Sequence, residues 1–479
     1  MYDVAIIGGG PAGSTAARLL AAWGHSVIIL TAAPTHRPRL AECLPPSTRK
    51  LFDFLGIRND LENAAFLRTT GNTVWWGKKR RVEHYPEGTG YQVPRAEFDA
   101  LLLSLARQAG ARVEAGKAFN AAAGIEFQSG ARRMKIKTRF ILDCSGRAGV
   151  LGRSLRLKEP KSRTIALCGV WRNEAGWKLP DVTHTLVEAY ADGWAWSIPL
   201  SPVERHVAFM VDPGETKMVR GKGLAAAYLA ELDKTRAFRR LFSRGTLEHA
   251  PWGCDASLYS SRRYAGPGFL IVGDAGTFID PLSSFGVKKA MVSAWVAAVV
   301  ANTCLTQPAM QNAALQFFNE REAQVYTEYR RRAAAWFRAA GRDLHPFWTH
   351  RFDFPDSEIP DNGREAMNQA FESLKRKPRI RLCVAEGVCV ESRPAIEGRF
   401  VVLRNTLVAP DSNHSLDFFE SVDLPRLAGL ASRYDQVPDL FAAYNRANRP
   451  VSLPNFLSAL SMLLARRILI DRTENSCSR

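Results

Sequence analysis

Two kinds of hydrophobic spacing divide this chain. Unbroken apolar runs stand at Val4–Ile7, Val27–Leu30, Phe140–Leu142 and Phe269–Val272, as in strands buried on both faces of a parallel sheet. A helical pattern links the first two runs. Another, with Phe98, Leu101, Leu102, Leu105 and Ala106 on one face, follows Arg95. From about Thr164 to Val211 the period changes to two, as in Thr185-Leu186-Val187-Glu188-Ala189-Tyr190 and His206-Val207-Ala208-Phe209-Met210-Val211, which predicts an antiparallel sheet. A long helix is expected from about Val287, with helices continuing through roughly Arg342. Near His345 to Lys377 the composition turns loop-like, with one short helix.

The last hundred residues read as a separate unit. Short strands are expected near Arg381 to Val390 and Phe400 to Val408, then helices near Leu424 to Leu430, Val437 to Asn445 and Leu453 to Ala465. The expected fold class is therefore α/β. Residues 1–163 begin a nucleotide-binding domain, with insertions that belong to a substrate domain. Residues 164–262 are mainly the antiparallel sheet, 263–345 complete the binding domain, and 376–479 form a small α+β, winged-helix-like domain.

The first strand runs into Gly8-Gly9-Gly10-Pro11-Ala12-Gly13 and then a helix. In such a strand–turn–helix unit Gly8 permits the turn. Gly10 lets backbone N–H groups reach a pyrophosphate, and Gly13 lets helix and strand pack closely. The positive end of the helix then faces the anion. The second strand ends at Thr31, where an acidic residue usually holds the ribose. With Arg37 and Arg39 beyond it, NADP stays open, and the turn alone does not choose the dinucleotide.

Apolar residues make up 46% of the chain and charged residues 23%, as in an ordinary globular protein. The net charge of +18 would suit nucleic acid, an acidic membrane surface, or an anionic substrate or partner. No nucleic-acid motif accompanies it and the basic clusters are scattered, so nucleic acid is not expected. Eight cysteines without metal-type spacing read as reduced thiols in a cytoplasmic protein that holds no metal. The chain opens on the cofactor strand, so no signal peptide is expected. The longest apolar run, Ala290 to Ala301, falls short of the ~18 residues of a spanning helix, so no transmembrane segment is expected either.

Several motifs occur in a familiar order: the glycine turn, Glu42-Cys-Leu-Pro-Pro46, Arg95 ahead of a helix, Asp143-Cys-Ser-Gly-Arg147, Trp194-Ala-Trp196-Ser-Ile198-Pro199, and Gly273-Asp274-Ala275 followed by Asp280-Pro281. Over about residues 1 to 340 the chain resembles the flavin-dependent halogenases and their relatives, the FAD-dependent aromatic hydroxylases and geranylgeranyl reductases. The resemblance implies an FAD-binding Rossmann-type domain of glutathione-reductase type with an inserted antiparallel substrate sheet. It implies FAD contacts from Gly8, Gly10, Pro11, Ala12, Gly13, Thr31, Arg95, Gly273, Asp274, Pro281, Ser284, Gly286 and Val287, with Asp274 on the ribityl chain. It gives Trp194 and Trp196 the role of keeping substrate away from the flavin, and makes Glu42 the carboxylate beside it.

In the halogenases a lysine presents the halogen to the substrate. The window from Phe54 to Trp76 where it should fall holds none; Arg68 or Thr69 stands there, and Lys78 and Lys79 come after it. Arginine stays protonated and cannot replace lysine. The leading expectation is an FAD-dependent monooxygenase acting through a flavin C4a-hydroperoxide on an aromatic or indole group, on a peptide, protein-bound or carrier-bound substrate. Its electrons would come from a separate flavin reductase or from NAD(P)H. Such chemistry is similar to that of flavoproteins of quinone-cofactor maturation. A halogenase using Lys78 or Lys79, a geranylgeranyl-reductase-like enzyme and a non-catalytic flavoprotein scaffold are the alternatives. His84, His184, His206 and His249 are the few other acid–base groups near the substrate region.

Overall fold

The computed structural model of the chain describes residues 1–32, 40–77, 79–86, 88–121, 124–159, 162–214, 223–341, 345–352, 364–377, 379–410 and 416–472. They fall into two compact units, Met1–Pro355 and Asp356–Arg479.

In the first unit the unbroken apolar runs become the middle of a six-stranded sheet. Its order is Ala265–Gly266, Phe269–Ile271, Thr138–Asp143, Tyr2–Ile7, Val27–Thr31 and Arg112–Ala115. All neighbours run parallel except the pair at the first edge. Parallel pairing hides both faces of a strand, which is why Val4 to Ile7 need no polar alternation. Helix Pro11–Ala22 packs against helix Gly286–Thr306. The latter is long and apolar enough to cross a membrane by length and composition, which the shorter run Ala290 to Ala301 did not suggest; 72% of its apolar stretch is buried inside the protein, as in a core helix.

The period-two strands form a second, eight-stranded sheet, ordered Thr246–Leu247, Ile165–Arg172, Glu204–Val211, Gly193–Pro199, Thr185–Tyr190, Gly71–Trp76 and Lys79–His84, with Trp252–Asp255 also on Ile165–Arg172. Two of these strands come from before residue 163, because Gly71–Trp76 pairs in parallel with Thr185–Tyr190 across more than a hundred residues of chain. The alternation then sorts side chains to two faces. Leu167, Val207 and Phe209 meet Tyr228, Leu232, Phe238 and Phe242 of the helices Leu224–Lys234 and Ala237–Phe242. Trp194, Ala208 and Met210 meet Phe337, Phe347 and Trp348 of the helices Gln311–Ala339 and Pro346–Phe352.

The second unit has its own core, built from Leu382, Leu424, Leu427, Leu440, Phe456 and Leu460. Helix Arg364–Arg376 supplies Leu374 to that core, so the unit begins earlier than residue 376. A long hairpin of Cys389–Glu397 and Phe400–Val408 precedes three helices, Leu424–Ala431, Val437–Ala447 and Leu453–Ala465. The unit is α+β, but a hairpin ahead of the helices is not the order of a winged helix, where the wing follows them.

Candidate active site

The glycine turn is fixed by close backbone approach. Gly8 has φ +104°, and a Cβ there would lie 2.3 Å from the Cys144 carbonyl oxygen of the neighbouring strand's end. A Cβ on Gly13 would lie 1.9 Å from the Gly8 carbonyl oxygen. Neither position tolerates a side chain. Helix Pro11–Ala22 starts from Gly10 with Pro11 in its first turn and no side-chain cap, so its leading N–H groups are left for a ligand. Thr31 closes the second strand against this turn, its Oγ1 2.8 Å from where a Gly9 Cβ would stand. Arg37 and Arg39, which kept NADP open, lie outside the described residues.

The second motif folds onto the first. Gly273 has φ +62°, and a Cβ on it would lie 3.4 Å from Ala12 and 3.3 Å from Ala290. Its N–H donates to Ser293 Oγ at 3.0 Å. Asp274, next in the chain, is held at 2.8 Å by the Lys289 ammonium, which also donates to the Thr277 carbonyl. Lys289 is only 4% exposed within helix Gly286–Thr306. Glu322 lies nearby, also buried; burial pushes its carboxyl up, against the pull of Lys289. The turn onward is shaped by Asp280, which caps Pro281–Ser283 through the Leu282 N–H, and by Ser284 at φ +53°. Gly286 and Val287 then open the long helix.

Arg95 joins these elements to a third. Its guanidinium donates to Asp99 at 3.1 and 3.0 Å and to Glu42 at 3.3 Å. Glu42 sits on the strand Ala41–Leu44, which pairs with Gly90–Pro94 directly ahead of Arg95. Burial raises the Glu42 carboxyl above the usual range, outweighing the attraction of Arg95. Asp274 adds its negative charge to the field at both Glu42 and Arg95. The sequence pointed to Arg95, Glu42 and Asp274 separately; the fold brings them into one electrostatic group. Asp99 and Lys289 were not singled out. Asp99 had a signal, since it lies one helical turn after Arg95.

Three residues expected on the substrate side fall in different settings. Trp194 is 2% exposed and packs edge-on to Trp76 at 6.4 Å, among core side chains. Trp196, on the same face, is only partly buried and adjoins Ala41, Cys43 and Ile198, next to Glu42. Lys79 lies farther out. It pairs with Trp76 on the outermost strand with its side chain exposed. Three strand steps separate it from the strand of Trp196, about 14 Å at the usual strand spacing. Edge strands carry such solvated lysines against unwanted pairing. Arg68 is engaged by Glu62 and lies over the Tyr91 ring, and Lys78 lies outside the described residues.

Among the described residues no group of histidines, cysteines and carboxylates could hold a metal ion, and the described cysteines form no disulfide. The cradle at Gly8 and Gly13, the uncapped helix start and the Gly273 turn against Ala12 fit a dinucleotide such as FAD.

The tryptophan halogenase family model matches residues 3–85 and 78–381. A tryptophan 2-halogenase from Chondromyces crocatus is 30% identical over 366 residues, covering 72% of this chain and 70% of that protein. A 1H-pyrrole-2-carbonyl-[peptidyl-carrier protein] chlorinase from Pseudomonas fluorescens is 27% identical over 340 residues, 62% of this chain and 74% of its own. Among solved structures, the flavin-dependent halogenase CmlS superposes with a TM-score of 0.81 at 21% identity, covering 98% of this chain and 96% of its own. The peptidyl tryptophan dihydroxylase QhpG, essential for tryptophylquinone cofactor biogenesis, does so at 0.74 and 21%, covering 97% and 99%. At such identities the two structures share the fold.

Proposed function

This chain belongs to the tryptophan halogenase family of flavin-dependent enzymes, with FAD as its cofactor, and we propose that it works as a monooxygenase, placing oxygen on an aromatic or indole group of a peptide, protein-bound or carrier-bound substrate. The observation that carries this reading is the missing lysine. None stands between Phe54 and Trp76, and Lys79 points to solvent about 14 Å from the strand of Trp196. Arg68, already paired, cannot take up and release halogen as an amine does.

Bound FAD, once reduced, supplies the reaction with O₂ and the electrophilic oxygen. The chain's residues do the rest. The glycine turn and the start of helix Pro11–Ala22 would bind the pyrophosphate. Asp274, held by Lys289, would take the ribityl hydroxyls. Trp196 walls the site off from water near Glu42, whose raised carboxyl keeps its proton more firmly than a surface glutamate. Electrons come from a separate flavin reductase, and the free thiols suit the cytoplasm.

The test supplies the FAD-loaded protein with a flavin reductase, NADH and ¹⁸O₂. Tryptophan-containing peptides and free indoles are the substrates, with and without chloride or bromide. A gain of ¹⁸O independent of halide is expected. A halide-dependent mass gain would refute the proposal.

A further inference from the structure

His206 is 1% exposed, yet neither ring nitrogen has a hydrogen-bond partner. Its ring lies between Trp196 and Trp252, centroids at 5.4 and 5.6 Å. Trp196 Nε1 is likewise buried and without a partner. Three polar ring atoms thus share one face of the eight-stranded sheet with nothing to bond to. Buried polar groups are normally paired, and such a cluster inside an aromatic wall marks a place built for a ligand's polar atom.

The position fits a substrate. His206 pairs in register with Ile198, which packs on Ala41 and Cys43, the flanks of Glu42. The hydrophobic cluster containing Trp196 and Trp252 also takes in Phe278 and Leu282, on either side of Asp280 in the second cofactor motif. The strand of Glu42 and the segment around Asp280 therefore border the cluster. Burial holds the His206 ring down at about 4, so near neutral pH it is uncharged, with one nitrogen free to accept and the other to donate.

We propose that His206 is a substrate-binding residue: its imidazole accepts the ring N–H of an indole or the O–H of a phenol from an aromatic substrate lying against Trp196 and Trp252. The hydrogen bond fixes which ring carbon faces the flavin and makes the ring more electron-rich, as attack on an electrophilic oxygen requires. This rests on the aromatic substrate assigned under the proposed function and adds the group that recognises it.

The experiment titrates FAD-loaded full-length protein with matched probes, indole against 1-methylindole and phenol against anisole, following the flavin absorbance. The wild type should bind the donor of at least one pair about tenfold more tightly than its methylated partner, the worth of one buried hydrogen bond. In His206→Phe that preference should vanish while the methylated probe and FAD bind as before; His206→Gln, which keeps an acceptor, should restore part of it. If the Phe variant fails to retain FAD, His206→Leu takes its place. Equal preference in wild type and variant would overturn the proposal, as would no preference in the wild type, the result expected if the nitrogens meet only water. Binding of no probe would overturn it as well. Any of these results together with retained ¹⁸O incorporation would remove the role of His206 alone, whereas absence of incorporation would remove the aromatic reading beneath it.

Discussion

The Lys289 ammonium lies 2.8 Å from Asp274 Oδ1, buried in the first turn of helix Gly286–Thr306. A buried lysine is tolerated only with its charge paired, and here the partner is the carboxylate that the family places on FAD. The pair fixes the rotamer of Asp274 before cofactor arrives. Replacing Lys289 with Met should weaken FAD binding, by about tenfold if one oriented hydrogen bond is lost, and change stability by less than about 3 kcal/mol, because the carboxylate left behind is partly solvated. Equilibrium dialysis and urea unfolding measure the two effects separately.

Gly13→Ala puts a methyl group 1.9 Å from the Gly8 carbonyl oxygen, which only backbone movement relieves. The variant should be purified without flavin, if it folds at all. Gly429→Ala, where a Cβ meets nothing within 4 Å, should retain FAD. The ratio of flavin to protein absorbance distinguishes the two.

Trp194 and Trp196 should part company on substitution. Trp194→Ala empties a packed core and should cost about 3–5 kcal/mol. Trp196→Ala should cost less stability and instead raise the share of reduced flavin lost to hydrogen peroxide, since its ring walls the site off from water. Thermal unfolding and a peroxide assay give the comparison.

Acid should destabilise the protein through His206. Its folded value of about 4 lies below the ordinary 6.5, so the unfolded chain binds the extra proton first. Stability is then lost as pH falls from about 6.5 to 4, by at most about 3 kcal/mol. In His206→Phe the slope over that window should flatten. Urea midpoints at pH 7, 5.5 and 4.5 would show it, and an unchanged slope would contradict the buried neutral ring.

Lys79→Ala should leave turnover unchanged, because the side chain is exposed at the sheet's outer strand. A product that disappears with this substitution, measured by mass spectrometry with halide present, would restore the halogenase reading.

The cofactor elements were legible because each is a local backbone requirement. Gly8 and Gly13 declare close approach, Gly273-Asp274 ends an apolar run, and Thr185–Tyr190 announces its two faces by alternation. Less local features were not. Leu374 belongs to the second unit's core, so the unit starts before 376, inside the stretch whose composition reads as loop. Lys289 carried no local signal; only the packing of its helix beside Gly273 turns it toward Asp274. Trp194 and Trp196 have the same parity on one strand, yet the first is fully buried in the core that holds Phe337, Phe347 and Trp348 while the second is only partly buried against it.

By itself the sequence determined the parallel strands, the two-faced sheet and the dinucleotide turn, because burial period and glycine sterics act over a few residues. Tertiary structure alone decided which charges pair and which rings meet. Arg95 with Glu42, Lys289 with Asp274, and His206 between Trp196 and Trp252 are meetings of distant segments, set by strand register and helix packing.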